Sequence, residues 1–209
     1  MDVHAPHEPV HTWKDFAIHL TIVTIGLFIA LMLEAGVQYW HHRHIVAEAR
    51  ANIRTELENN RTSAQHDVTY LGNALKQVDN NVKEIHVLQQ HENVRVSITN
   101  TLEFEPFSDA AWRTARDTGA LAYMPYGEVQ RYSQVYMLVG ILNDRAIAAE
   151  QADFRSLAPA FMGYDMGKLP PEEYMEMLRG NAVAKIDLEA LQQYARQFGE
   201  QCAQELSRH

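Results

Sequence analysis

The chain has 209 residues, with 18 basic and 27 acidic side chains, a formal net charge of −9 and a single cysteine. That balance, with no basic block to neutralise phosphates, argues against a nucleic-acid binder. Cys202 cannot close an intrachain disulfide, and its helical neighbours make it a small buried apolar residue rather than a reactive thiol.

Residues 1–15, MDVHAPHEPVHTWKD, contain two prolines and no apolar periodicity, which predicts a short irregular leader. It has neither the basic n-region nor the small-residue cleavage site of a secretory signal, so the apolar stretch after it is expected to be retained. His4, His7 and His11, with Glu8 between them, could hold a metal ion. The spacing is loose and no second cluster completes a shell, so a solvated tail is preferred and neither metal nor cofactor is expected.

Residues 16–40, FAIHLTIVTIGLFIALMLEAGVQYW, carry no Asp, Glu, Lys or Arg before Glu34. A bilayer core about 30 Å thick needs roughly 20 such residues in a helix, and this stretch predicts one transmembrane helix. Tyr39 and Trp40 fall where an aromatic belt would meet the headgroups, with Arg43 beyond them. His19, Val23, Gly26, Ala30 and Glu34 share one face, on which Gly26 and Ala30 form a small-xxx-small pair. That face is expected to meet another transmembrane helix, from a second copy or a larger membrane complex. Glu34 either pairs there or reaches the headgroups. His41, His42 and His44 read as an interfacial band. Only Lys14 is basic before the anchor, whereas Arg43, Arg50 and Arg54 follow it, which leans towards a cytoplasmic carboxyl-terminal domain. A periplasmic domain stays open, because long domains translocate largely regardless of charge.

Residues 41–91 contain no proline and many helix formers. Ala64, Val68, Leu71, Leu75, Val78, Val82 and Ile85 recur at alternating steps of four and three, the seam of a coiled coil or long bundle helix. Val46, Ile53 and Leu57 extend it upstream, but Asn59, Asn60 and Arg61 interrupt it, as a register shift, a kink or a polar layer specifying partner number would; because fifty uninterrupted helical residues would extend roughly 75 Å, a break or fold-back near Asn60 is expected.

Beyond residue 91, Val94, Val96 and Ile98 alternate with polar residues, as in a short extended piece or loop. Ser108 is placed to cap a helix that should stop near Gly119. Pro125 opens another, with Val129, Tyr132, Tyr136 and Val139 on one face. Phe104, Phe107, Trp112, Tyr123, Tyr132 and Tyr136 crowd this segment, with Arg116 near them. They would line a ligand pocket or, the preferred reading, form the domain's core.

A chain with an anchor reading TIGLFIALMLE (24–34), a His-rich junction, a long helix, and then DAAWRTARDTGALAYM (109–124) before a Tyr-rich helix resembles uncharacterised bacterial single-pass membrane proteins. The resemblance implies a small membrane-anchored helical domain and transfers no catalytic residue.

Further on, Pro159, Gly163 and Gly167 mark a loop, and Pro170-Pro171-Glu172-Glu173 a helix start. Gly180 is expected to end that helix. Ile186, Leu191, Tyr194, Phe198, Cys202 and Leu206 then form the inner face of a final helix. No phosphate loop, Cys-x-x-Cys, His-Glu-x-x-His or Gly-x-Ser-x-Gly element occurs. The expected fold is all-α: one amino-terminal transmembrane helix (16–40) continuing into a long helix (41–91), then a small helical bundle (92–209) packing with it. The expected function is interaction or assembly in the bacterial inner membrane, with the lipid bilayer and other transmembrane helices as partners. A sensory or ligand-binding module built on the aromatic segment comes second, and a membrane-bound enzyme third.

Overall fold

A computed structural model describes residues 12–90, 96–99 and 104–208. The fold is all-α, with no strand among the described residues, and it divides into two compact units, Met1–Ala47 and Glu48–His209. His4, His7, Glu8 and His11 lie outside the described residues, as do Val94 and Arg95.

Helix α1 spans Trp13–Gln90. It starts three residues before the expected anchor, where Thr12 accepts the amides of Asp15 and Phe16 and its hydroxyl donates to the Asp15 carboxylate at 2.6 Å. In the first unit the helix is long and apolar enough to cross a membrane, with a mean hydropathy of 2.4 over 18 residues, none of them buried. Its two threonines satisfy themselves locally: Thr21 and Thr24 hydroxyls donate to the carbonyls of Ala17 and Leu20 at 2.8 and 2.7 Å. Such back-bonding pairs each hydroxyl within its own helix.

In the second unit, α1 is joined by α2 (Ala110–Asp117), α3 (Tyr126–Ser156), the single turn α4 (Ala158–Phe161) and α5 (Pro171–Leu206). Three long helices make the bundle, and each buries a stripe with a seven-residue repeat. On α1 the stripe is Ile53, Leu57, Asn60, Ala64, Asp67, Leu71, Ala74, Val78, Asn81, Ile85 and Leu88. On α3 it is Glu128, Tyr132, Val135, Val139, Leu142, Ala146, Ala149 and Asp153. On α5 it runs from Tyr174 through Met177, Asn181, Ala184, Leu188, Leu191, Ala195, Phe198 and Cys202 to Glu205. Strict alternation of threes and fours keeps each seam facing its partners over many turns, as in a left-handed coil.

Cross-links set the directions. Arg50 meets Glu128, early in α3 and early in the part of α1 that lies in the second unit, and farther along both helices Asn60 and Asn143 hold the adjacent residues Ser108 and Phe107, so α1 and α3 run parallel. Lys185 reaches Asp79, Gln192 donates to the Val68 carbonyl, and a Cβ on Gly199 would lie 3.3 Å from that of Ala64, so α5 runs antiparallel to α1. The far end is closed by Ile85, Leu88, Leu157, Leu169, Tyr174 and Met177, against which Val96, Ile98 and Met166 pack.

Three expectations are corrected. No break or fold-back occurs near Asn60: α1 is continuous, because Asn60 occupies a seam position and is satisfied there by another part of the chain. Gly180 does not end a helix, since α5 continues to Leu206. A mid-helix glycine costs about 1 kcal/mol, less than burial of the flanking Met177 and Ala184 returns. Ile186 and Tyr194 are not on the inner face of α5; they are 66% and 36% exposed, and the smaller Ala184, Asn181 and Ala195 take the seam. Gly119, at φ 77°, stops the turn after α2 as its left-handed conformation allows.

Candidate functional site: the anchor face, the aromatic rings and a polar ladder

On the apolar part of α1, His19, Val23, Gly26, Ala30 and Glu34 are all exposed. A Cβ on Gly26 would meet nothing within 4 Å, so this face is open to a close neighbour. His19 Nδ1 lies 2.7 Å from the Asp15 carbonyl, and Glu34 accepts from Gln38 at 3.3 Å. Arg43 bends back over Tyr39, 3.2 Å from its hydroxyl and 5.7 Å from its ring centre.

The aromatic segment separates into two groups. Phe107 is buried, with Phe104 edge-on at 5.4 Å and Phe198 of α5 at 4.7 Å. Trp112 is half-buried, stacked at 5.4 Å on Tyr136 and edge-on to Tyr132 at 6.4 Å. Tyr123 stays 51% exposed, and Arg116 is exposed with Asp117 at 3.0 Å. Hollows lined by described residues lie elsewhere. One of about 350 Å³ lies between α1 and α5 over Ala64, Ala195, Gly199 and Ala203. Another of about 540 Å³ lies at the far end over Leu88, Leu169 and Tyr174.

Of the seam residues read from sequence, Ala64, Leu71, Val78 and Ile85 are buried, while Val68, Leu75 and Val82 flank them half-buried. The other half of the stripe carries polar residues, and these do something sequence reasoning missed. They hold the stretch leading from α1 to α2 by its backbone. Asn81 donates from Nδ2 to the Thr99 carbonyl at 2.9 Å and accepts the Thr99 amide at 3.3 Å. Asp67 Oδ1 accepts the Glu105 amide at 3.2 Å. Asn60 donates to the Ser108 carbonyl at 2.8 Å and accepts its amide at 2.9 Å. From α3, Asn143 grips the Phe107 peptide the same way, both bonds at 3.0 Å. A carboxamide side chain thus imitates a neighbouring strand, offering one donor and one acceptor to a single residue.

Geometry explains the spacing. Seven residues of helix, Asn60 to Asp67, rise about 10.5 Å, and three residues of peptide, Glu105 to Ser108, reach that far only if nearly fully extended. This strap (96–99 and 104–109) runs antiparallel to α1 and occupies the side where a fourth helix would lie. Its end is fastened by Glu56, whose Oε2 accepts the Ser108 hydroxyl at 2.7 Å and the Ala111 amide at 2.9 Å. The carboxylate of α1 thereby caps α2, whereas the Ser108 hydroxyl accepts only the Ala110 amide at 3.3 Å and Asp109 makes no side-chain cap. A signal for the ladder exists in the sequence: Asn60, Asp67 and Asn81 stand at multiples of seven, in phase with the apolar stripe.

Electrostatics single out a few buried groups. Arg50 binds Glu128 through two bonds of 2.7 Å, and that hydrogen bonding raises the guanidinium pKa further. Burial, opposed by the Glu105 amide, pushes the Asp67 carboxyl up to about 6, and burial does the same for Asp153. Tyr136 is driven well above the usual phenol range by burial and then by the adjacent Glu56. Burial lifts the Cys202 thiol to about 12, which makes it inert. No group of three potential metal ligands occurs among the described residues.

The chain matches no family model, and no curated protein or solved structure matches it significantly.

Proposed function

We propose that this chain is a membrane-anchored helical assembly protein, an accessory subunit held by a single pass in the bacterial inner membrane. The observation that carries the reading is a contrast between inside and outside. The bundle fills its interior with its own heptads, yet large apolar side chains remain outside: Met137 and Ile141 on α3, Val183 and Ile186 on α5, each 41–66% exposed. Ring stacking of Trp112 on Tyr136 supports packing over ligand capture in the aromatic segment. On the anchor, the open Gly26–Ala30 face is the surface offered to a second transmembrane helix, where small residues and polar contacts rather than hydrophobicity drive association. The basic residues after the anchor favour a cytoplasmic domain. The resemblance of the 24–34 and 109–124 stretches to single-pass bacterial membrane proteins points the same way.

The test is disulfide crosslinking in native membranes, in a Cys202→Ser background. Gly26→Cys and Ala30→Cys should crosslink to a neighbouring helix, and Phe28→Cys on another face should not. Equal crosslinking around the helix, or none from positions 26 and 30, would remove the basis of the proposal.

A further inference from the structure

We propose that Asp67 is a proton-operated clamp: on taking up a proton it grips the Glu105 peptide by both its N–H and its C=O, as the neighbouring asparagines grip theirs. The inference is independent of the function proposed above and rests on the ladder's regularity. Three of its four rungs are carboxamides, and each gives a donor to a carbonyl and an acceptor to an amide of one residue: Asn81 with Thr99, Asn60 with Ser108, Asn143 with Phe107. Asp67 stands in the same heptad register, seven residues from Asn60 and fourteen from Asn81. It too takes an amide on Oδ1, that of Glu105. What it lacks when ionised is a donor, and among the described residues its buried Oδ2 has no partner.

A carboxylic acid has the shape of a carboxamide and the same pair of functions, one O–H donor and one carbonyl acceptor. A proton from water, placed on Oδ2, turns the incomplete rung into a copy of its neighbours. The side chain is fully buried, so ionisation there is already disfavoured. The charges acting on it are two. The Glu105 carboxylate of the strap opposes ionisation, and His66 of α1 favours it; α3 and α5 bring none to bear among the described residues. The strap is therefore held by three complete rungs at neutral pH and by four in mild acid. Asn at this position would fix the acid form permanently; Asp makes the grip conditional.

Hydrogen–deuterium exchange at the Glu105 amide, in the full-length protein in mild detergent, reads the clamp. Rates corrected for intrinsic chemistry should show about two- to fivefold more protection at about pH 5 than at about pH 7.5, the worth of one added hydrogen bond less what the existing amide bond loses when its acceptor is neutralised. Asp67→Asn should show the acid level of protection at both values. Asp153→Asn, which removes the other buried carboxyl that burial pushes up to about 6, should leave the response of Glu105 intact. Equal protection of the wild type at both values, a pH response that survives Asp67→Asn, or one abolished by Asp153→Asn would each overturn the proposal. Should Asp67→Asn fail to fold, carbon-13 titration of the wild-type Asp67 carboxyl decides. It must titrate in step with the Glu105 amide proton, and independent titration refutes the clamp.

Discussion

Asn60→Leu separates the ladder from ordinary coiled-coil logic by the sign of its effect. Asn60 is 3% exposed at a seam position, where replacing a lone buried asparagine by leucine normally stabilises a coiled coil at the expense of specificity. Here the asparagine holds both polar atoms of the Ser108 peptide, at 2.8 and 2.9 Å. Leucine removes both bonds, and because Ser108 is partly open to water each loss is taken at about 1–1.5 kcal/mol. The bulkier side chain also presses on the strap where it lies closest, which offsets any gain from the added apolar surface. The net expectation is a loss of about 2–3 kcal/mol, or roughly 5–10 °C in melting temperature for a domain of this size. Thermal unfolding of the full-length protein in detergent, followed by far-ultraviolet circular dichroism, measures it. A variant as stable as the wild type, or more stable, would show that the strap is held by something other than these bonds.

Val78→Asp puts an unpaired charge into a seam position that is 2% exposed and should cost several kcal/mol; an unchanged melting temperature would reassign that face of α1. Gly199→Val should destabilise the bundle by about 1–3 kcal/mol, because a Cβ there would sit 3.3 Å from that of Ala64, so α1 and α5 must part slightly to admit a branched side chain; denaturant titration would detect it as a lower midpoint at unchanged slope. Asp153, held at about 6 against an ordinary 3.8, binds its proton more tightly folded than unfolded. The fold therefore gains stability as pH falls from about 7 towards 4 and loses it as pH rises through 6, by at most about 3 kcal/mol, and melting of Asp153→Asn across that range should be correspondingly flatter.

Much of the architecture was legible because it rests on local periodicity. A helix long and apolar enough to cross a membrane declared itself by composition, and Ala64, Leu71, Val78 and Ile85 by their spacing of seven. Where the reading went astray, a tertiary partner overrode a local signal. Asn60 looks like an interruption until Ser108, 48 residues later, supplies the peptide it binds. Gly180 reads as a stop, yet α5 is held through it by packing on both sides. Ile186 outranks Ala184 in hydrophobicity, but Ala184 stands in the heptad phase of the buried stripe and Ile186 does not. The ladder was not recoverable from propensity at all, because an asparagine that imitates a strand and one that merely solvates a helix have the same composition. Only the phase of Asn60, Asp67 and Asn81 against the apolar residues tells them apart.

The position of α5 at the carboxyl end bears on how the chain is made. Val68 and Asp79 wait for Gln192 and Lys185, more than a hundred residues downstream. At about 5–20 residues per second, the ribosome leaves the inner stripe of α1 without its antiparallel partner for several seconds or longer. During that interval the strap is the first cover available to it, emerging directly after α1 and gripped by Asn60, Asp67 and Asn81 of α1 through its backbone. Loss of a rung would then lengthen the time for which an apolar stripe stands open, and aggregation of nascent chains would appear before any fall in the stability of finished ones.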